Sequence, residues 1–144
     1  MTALFVTVFI VLVSDQALKL LIRYFIGSNV QSLGALGSVQ IVQGRLWIQQ
    51  ARWHLNYLTI CTFWAAAAVM LVIASTWIAL SPVSVGLLLG GSISNAIENS
   101  IRGSVSDYVC LQFWPAFNFA DLALSGGAIG TLTALLTAVW ATVS

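Results

Sequence analysis

Four apolar runs, at residues 2–26, 55–79, 83–101 and 117–143, dominate the sequence. Each approaches the ~20 residues that a helix needs to cross the hydrocarbon core of a bilayer. Of the 144 residues 60% are hydrophobic and only 6% charged. Ordinary soluble domains carry about a quarter charged residues, so this chain is not one of them. The expected fold is an integral membrane protein, mainly α, with four transmembrane helices in one domain over residues 1–144. The first run lacks a basic n-region and has no small-residue cleavage site before Asp15, Lys19 and Arg23. It is therefore read as a retained helix, not a signal peptide. No charge block divides the chain and nothing in it resembles a nucleic-acid footprint, while the formal charge of +1 says little about partners. Cys61, in the second run, and Cys110, in a short loop, suggest neither a disulfide nor a metal site and are read as packing residues.

The polar interval 27–54 separates the first two helices. Residues 38–43 alternate polar and apolar, Gly44 interrupts, and residues 46–49 turn from apolar to polar. That pattern predicts a small β-hairpin on the membrane surface, with Trp47, Trp53 and Tyr57 as interfacial anchors. "SPVS" joins helices two and three tightly, whereas "RGSVSDYVCLQFWPA" between helices three and four is longer. The elaborated loops thus share one side, and four helices bring both termini to the other. Arg23, Arg45, Arg52 and Arg102 belong to the elaborated side, which by the positive-inside rule would face the cytoplasm.

Ionisable groups inside a spanning helix cost roughly 2.5–3.5 kcal/mol on insertion scales, so they pair or mark a site. Asp15 and Lys19 lie four apart, acid first, as in a helical ion pair that clasps a helix end. Asn95, Glu98 and Arg102 share one stripe of the third helix and form a polar seam that faces the bundle. Gly90 and Gly91 permit close approach of another helix. Asp107 sits in the following loop and Asp121 in the first turn of the last helix. If they converge, they share a proton, and one ionised with one protonated carboxyl is the equipment of aspartic hydrolysis. A bland role for Asp121 stands beside this: Asn118 can cap the last helix, with Asp121 completing a variant of the capping box.

In this order, "SDQALK", "GGSISNAIENSIRGSVSDYV" and "WPAFNFAD" resemble the lipoprotein signal peptidases, the signal peptidase II family of bacterial aspartyl proteases. The resemblance spans nearly the whole chain. It implies cleavage of a prolipoprotein signal peptide before its lipid-modified cysteine, in the bacterial cytoplasmic (inner) membrane. It assigns Asp107 and Asp121 as the dyad, Asn95 and Asn118 as lining residues, and Asp15 and Lys19 as a matched feature of the first helix, while Glu98 and Arg102 are read from their spacing as support. It further implies a β-cradle from the first loop on the extracytoplasmic face, cytoplasmic termini against the arginine count, and diacylglyceryl-modified substrates. Membrane lipid is the other partner; no metal or organic cofactor is implied, and a monomer is expected.

This chain departs from the family pattern in places. Glu98 and Asn99 stand where Asp-Arg is usual, with Arg102 one turn on as a substitute partner. "QQARWHLN" replaces an Asn-x-Gly-Ala-Ala-Phe-like segment, and Leu122 follows the second aspartate where Ser is common. His54, within that segment, reads as a hydrogen-bonded interfacial residue rather than a base. These changes touch the substrate-facing surroundings and keep a non-proteolytic paralogue, binding prolipoproteins or a substrate-mimicking inhibitor, as the alternative. A small transporter would distribute its charges across the membrane depth, whereas here they gather toward one side.

Overall fold

An uninterrupted apolar stretch winds into the first helix, α1 (Thr2–Phe25), in the computed structural model, which describes residues 1–27, 29–44, 73 and 80–143. The predicted second spanning helix, 55–79, lies outside the described residues except at Ile73, and so does the segment "QQARWHLN" with its His54. The buried positions of α1 are Leu4, Val11, Asp15 and Lys19, spaced as one helical stripe, while Phe5, Phe9, Ile10, Val13 and Leu20 point outward. Polar side chains inside and large apolar ones outside invert the soluble pattern. That inversion suits a bundle solvated by lipid.

The second described helix, α2 (Pro82–Arg102), has Pro82 in its first turn, where a missing N–H costs nothing. It ends at Gly103, whose left-handed φ of 70° lets its N–H return to the Asn99 carbonyl at 2.8 Å. This helix packs between α1 and the third, α3 (Phe119–Val143). The adjacent glycines serve different neighbours: a Cβ at Gly90 would stand 2.8 Å from the Val11 Cβ, and one at Gly91 would stand 2.6 Å from the Ala120 carbonyl oxygen. Both are closer than side chains tolerate, so two helices approach α2 at backbone distance. By length and apolarity α1 and α3 can cross a membrane, with mean hydropathy 2.0 and 1.7 over an 18-residue stretch within Thr2–Phe25 and Phe119–Thr142. The polarity of α2 is concentrated on the stripe its neighbours cover, where Ser94, Asn95, Glu98 and Asn99 are buried.

Beside this helical layer lies a three-stranded antiparallel sheet in the order β1 (Gln31–Ser32), β2 (Gly37–Gly44), β3 (Val105–Leu111), with a 3-10 turn at Gly34–Leu36 between the first two. The predicted hairpin would fold residues 38–43 onto 46–49, and that second arm is outside the described residues. Among the described residues, the partners of β2 are β1 and β3. The connection that carries Asp107, read from sequence as a loop, is therefore a strand, and Cys110 lies in it as well. Its β-branched and aromatic residues Val105, Tyr108 and Val109 fit a pleated, half-buried surface.

Two features of the sheet deliver residues to one place. The ladder passes from Val39 opposite Val109 to Val42 opposite Asp107, so β2 carries one extra residue there, a bulge beside Asp107. After β3 the chain doubles back, and Phe117 exchanges hydrogen bonds with Val109, N to O at 3.0 and 3.1 Å. Residue 118, and with it the start of α3, is thereby laid against Asp107.

Candidate active site

The first four N–H groups of a helix have no partners within it. At the start of α3 each finds a side-chain acceptor. Asn118 N–H donates to Asp121 Oδ2 at 3.0 Å, and Asp121 N–H donates to Asn118 Oδ1 at 3.0 Å, the reciprocal pair of a capping box. Phe119 N–H donates to the Tyr108 hydroxyl at 3.0 Å, and Ala120 N–H donates to Asp15 Oδ1 at 2.9 Å. The end of α3 is thus held by β3 and α1 as well as by its own residues. The capping role read for Asp121 is present, and it fixes the carboxylate where the helix begins.

Asn118 is fully buried, and its amide extends the arrangement to the other acid. Asn118 Nδ2 donates to Asp107 Oδ1 at 2.8 Å, so one residue holds both carboxylates, Asp107 through its side chain and Asp121 through its backbone. The second oxygen of Asp121, Oδ1, accepts from Asn95 Nδ2 at 3.0 Å. Asn95 is oriented in turn by Lys19, whose Nζ donates to Asn95 Oδ1 at 2.9 Å. Because an ammonium only donates, it claims the amide oxygen and leaves the NH₂ group facing Asp121.

Lys19 is buried and pairs with Asp15 Oδ2 at 2.6 Å and Glu98 Oε2 at 3.0 Å. Ser94, which Gln16 grips at 2.8 Å, donates its hydroxyl to Asp15 Oδ2 at 2.7 Å. Glu98 also pairs with Arg23 of α1, and its Oε2 accepts the Ser106 N–H at 3.1 Å. The expected pairing of Glu98 with Arg102 does not form. Arg102 is exposed at the helix end and makes no ion pair among the described residues. The reason is geometric: Arg23 comes from a neighbouring helix onto the buried side of Glu98, whereas Arg102 sits at the last turn, facing out.

Asp107 and Asp121 are each partly exposed, unlike the closed network beneath them. Burial first, and then the Asp121 charge, push the Asp107 carboxyl up from its ordinary 3.8 to about 6. Burial likewise raises the Tyr108 phenol to about 12, so it keeps its proton at neutral pH. An open groove of about 310 Å³, lined by Leu111, Trp114, Phe117, Asp121, Leu122 and Ser125, runs up to Asp121. It is apolar apart from that acid and Ser125. Chemically, the site offers two coupled carboxyl groups, amide donors that fix them, and an apolar approach. Among the described residues, no cluster of His, Cys, Asp and Glu could hold a metal ion.

A family model described as Signal peptidase (SPase) II matches residues 7–137. The chain belongs to the signal peptidase II family. A lipoprotein signal peptidase of Xanthomonas campestris pv. campestris is 46% identical over 54 residues, which cover 35% of this chain and 32% of the relative. One from Syntrophomonas wolfei is 40% identical over 57 residues, covering 40% and 38%. The matched stretches thus span about a third of the length of these curated relatives. Two solved structures, each described as a bacterial membrane enzyme, share the fold. One has a TM-score of 0.72 at 19% identity, covering 94% of both chains. The other has 0.69 at 20%, covering 95% of this chain and 89% of its own.

Against the signal peptidase II pattern, the residues singled out from sequence converge except for Arg102. Ser94, Ser106, Tyr108 and Arg23 were not foreseen as site residues. For Arg23 a signal existed: it continues the Asp15, Lys19 spacing by another four residues and so shares their face. The serines and the tyrosine act through contacts between distant segments, 79 residues apart for Ser94 and Asp15, which periodicity does not report.

Proposed function

We propose that this chain is an aspartic endopeptidase of the inner membrane that removes the signal peptide of diacylglyceryl-modified prolipoproteins by cutting before the lipidated cysteine. The observation that carries the reading is the double hold of Asn118 on Asp107 Oδ1 and Asp121 Oδ2, at 2.8 and 3.0 Å, next to an apolar groove. Family membership supplies the substrate class.

Both Asp121 oxygens already accept N–H hydrogen bonds, which gives that carboxylate the acceptor's part. Asp107, titrating near 6 and held through one oxygen, carries the shared proton. A water between them loses its proton to Asp121 and attacks the scissile carbonyl, while Asp107 protonates the carbonyl oxygen. Collapse of the tetrahedral intermediate returns a proton to the leaving amine. The groove beside Asp121 takes the apolar signal sequence and the lipid of the substrate. In this reading the dyad faces the extracytoplasmic side and the termini face the cytoplasm.

Purified protein in micelles, given a diacylglyceryl-modified prolipoprotein and the same protein without lipid, tests the proposal. The lipidated form is cut on the N-terminal side of the cysteine and the bare form is cut far more slowly. Tight binding of the lipidated form without any cleavage product would instead identify a non-catalytic binding protein.

A further inference from the structure

The two cations of α1, Lys19 buried and Arg23 partly exposed, divide their work between the two acids. Lys19 reaches Asp121 through one intermediary, Asn95, by hydrogen bonds of 2.9 and 3.0 Å. Arg23 reaches toward Asp107 by a separate route. Its Nη2 pairs with Glu98 Oε1 and donates to the Ser106 hydroxyl at 2.6 Å, while Glu98 Oε2 accepts the Ser106 N–H at 3.1 Å. Ser106 is thus gripped at both backbone and side chain, from two helices, and the next residue in β3 is Asp107. Asn118 Nδ2 touches both ends of this segment, at the Ser106 carbonyl (3.4 Å) and Asp107 Oδ1 (2.8 Å). The Arg23 side chain is 22% exposed and Glu98 1%, so the pair is only lightly screened by solvent.

We propose that Arg23 is a positioning residue for Asp107, setting the place and charge environment of that carboxyl through Glu98 and Ser106. This rests on the aspartic mechanism above. It also accounts for a departure in the sequence: Asn99 stands where the family pattern has the arginine of Asp-Arg, and the cation beside Glu98 comes from α1 instead. Arg23 touches neither carboxylate of the dyad, and it acts by holding the strand that carries one of them.

Among the described residues, the charged and titratable groups around Ser106 and Asp107 are Asp15, Lys19 and Arg23 of α1, Glu98 of α2, Tyr108 of β3 and Asp121 of α3. With Arg23 removed, Lys19 is the one cation among the described residues that still pairs with Glu98. Asp107 then keeps its proton to higher pH, and the alkaline limb of kcat moves upward.

The test is Arg23→Met and Arg23→Lys in the full chain, assayed in micelles on diacylglyceryl-modified prolipoprotein across pH, with thermal melts alongside. The methionine variant loses roughly 10- to 100-fold in kcat, with KM nearly unchanged and the alkaline limb shifted up by about half a unit. The lysine variant recovers most of the rate. A wild-type kcat in the methionine variant, or a reduced kcat with an unmoved pH profile, overturns the positioning role. Should the methionine variant not fold, Ser106→Ala keeps the ion pair and cuts only the hydroxyl link. A smaller loss of kcat there supports the proposal, and an unchanged rate and profile refute it. Failure of the wild type itself to cleave would remove the aspartic reading and this one together, which distinguishes the two failures.

Discussion

At Asp107, burial and the charge of Asp121 both disfavour the ionised carboxyl and draw its titration from 3.8 up to about 6. The folded protein therefore binds this proton more tightly than the unfolded chain does. The stabilisation is complete below about pH 4 and is lost as pH rises through about 6. Asp107→Asn is neutral throughout and still offers Asn118 an acceptor. The variant should melt higher than wild type above pH 6, by an amount on the order of 2 kcal/mol, with the gap closing toward pH 4. Melting curves in micelles at the two pH values check this. Asn118 carries a different burden, since it both caps α3 and holds the two acids. Asn118→Ala should cost about 1 kcal/mol as a lost cap, plus an unmet hydrogen bond at Asp107. Its kcat should fall about 100-fold or more, far beyond what the loss of folded protein explains. Measuring melting and kcat on one preparation separates the two effects.

Among the elements, the three described helices were legible as long apolar runs, and α1 and α3 are long and apolar enough to cross a membrane. The ends of the described runs fall within two residues of expectation, 83–101 against Pro82–Arg102 and 117–143 against Phe119–Val143. Strand β3 was not legible. Seven residues carrying Ser106 and Asp107 form a strand only because β2 lies alongside, and the bulge that adjusts their register depends on both chains. The partner of Glu98 was misread for a related reason. Spacing within one helix sees Arg102 four residues on, but not Arg23 on a neighbouring helix. Helix packing itself hangs on Gly91, whose Cβ would meet the Ala120 carbonyl at 2.6 Å and the Leu124 Cγ at 2.9 Å, whereas at Gly126 the nearest atom is 3.8 Å away. Gly91→Ala should lower the melting temperature and the activity together, because it pushes on the first turn of α3. Gly126→Ala should be neutral or stabilising by up to about 1 kcal/mol through helix propensity. Equal melting shifts for the two would contradict this packing.

At the scale of the molecule, the described residues bury a polar network beside a small apolar cluster of Leu4, Leu80 and Val85. Lys19 is the hub of that network, pairing with Asp15 and Glu98 and orienting Asn95. Lys19→Met leaves the buried Asp15 without its cation and Glu98 with Arg23 only, and should cost roughly 3–5 kcal/mol, seen as a large drop in melting temperature at neutral pH. The sequence pattern exposed the members of this network one helix at a time, as charges too costly to leave in lipid. How they interlock became visible only when α1, α2, β3 and α3 came together at the start of α3. This interlocking, we propose, makes Asp107 and Asp121 an acid–base pair. The most direct test is the single-turnover rate on a diacylglyceryl-modified prolipoprotein, for wild type against Asp107→Asn and Asp121→Asn. Each substitution should lower the rate by about 100- to 10,000-fold with substrate still bound. Cleavage at the wild-type rate by either variant would contradict the claim.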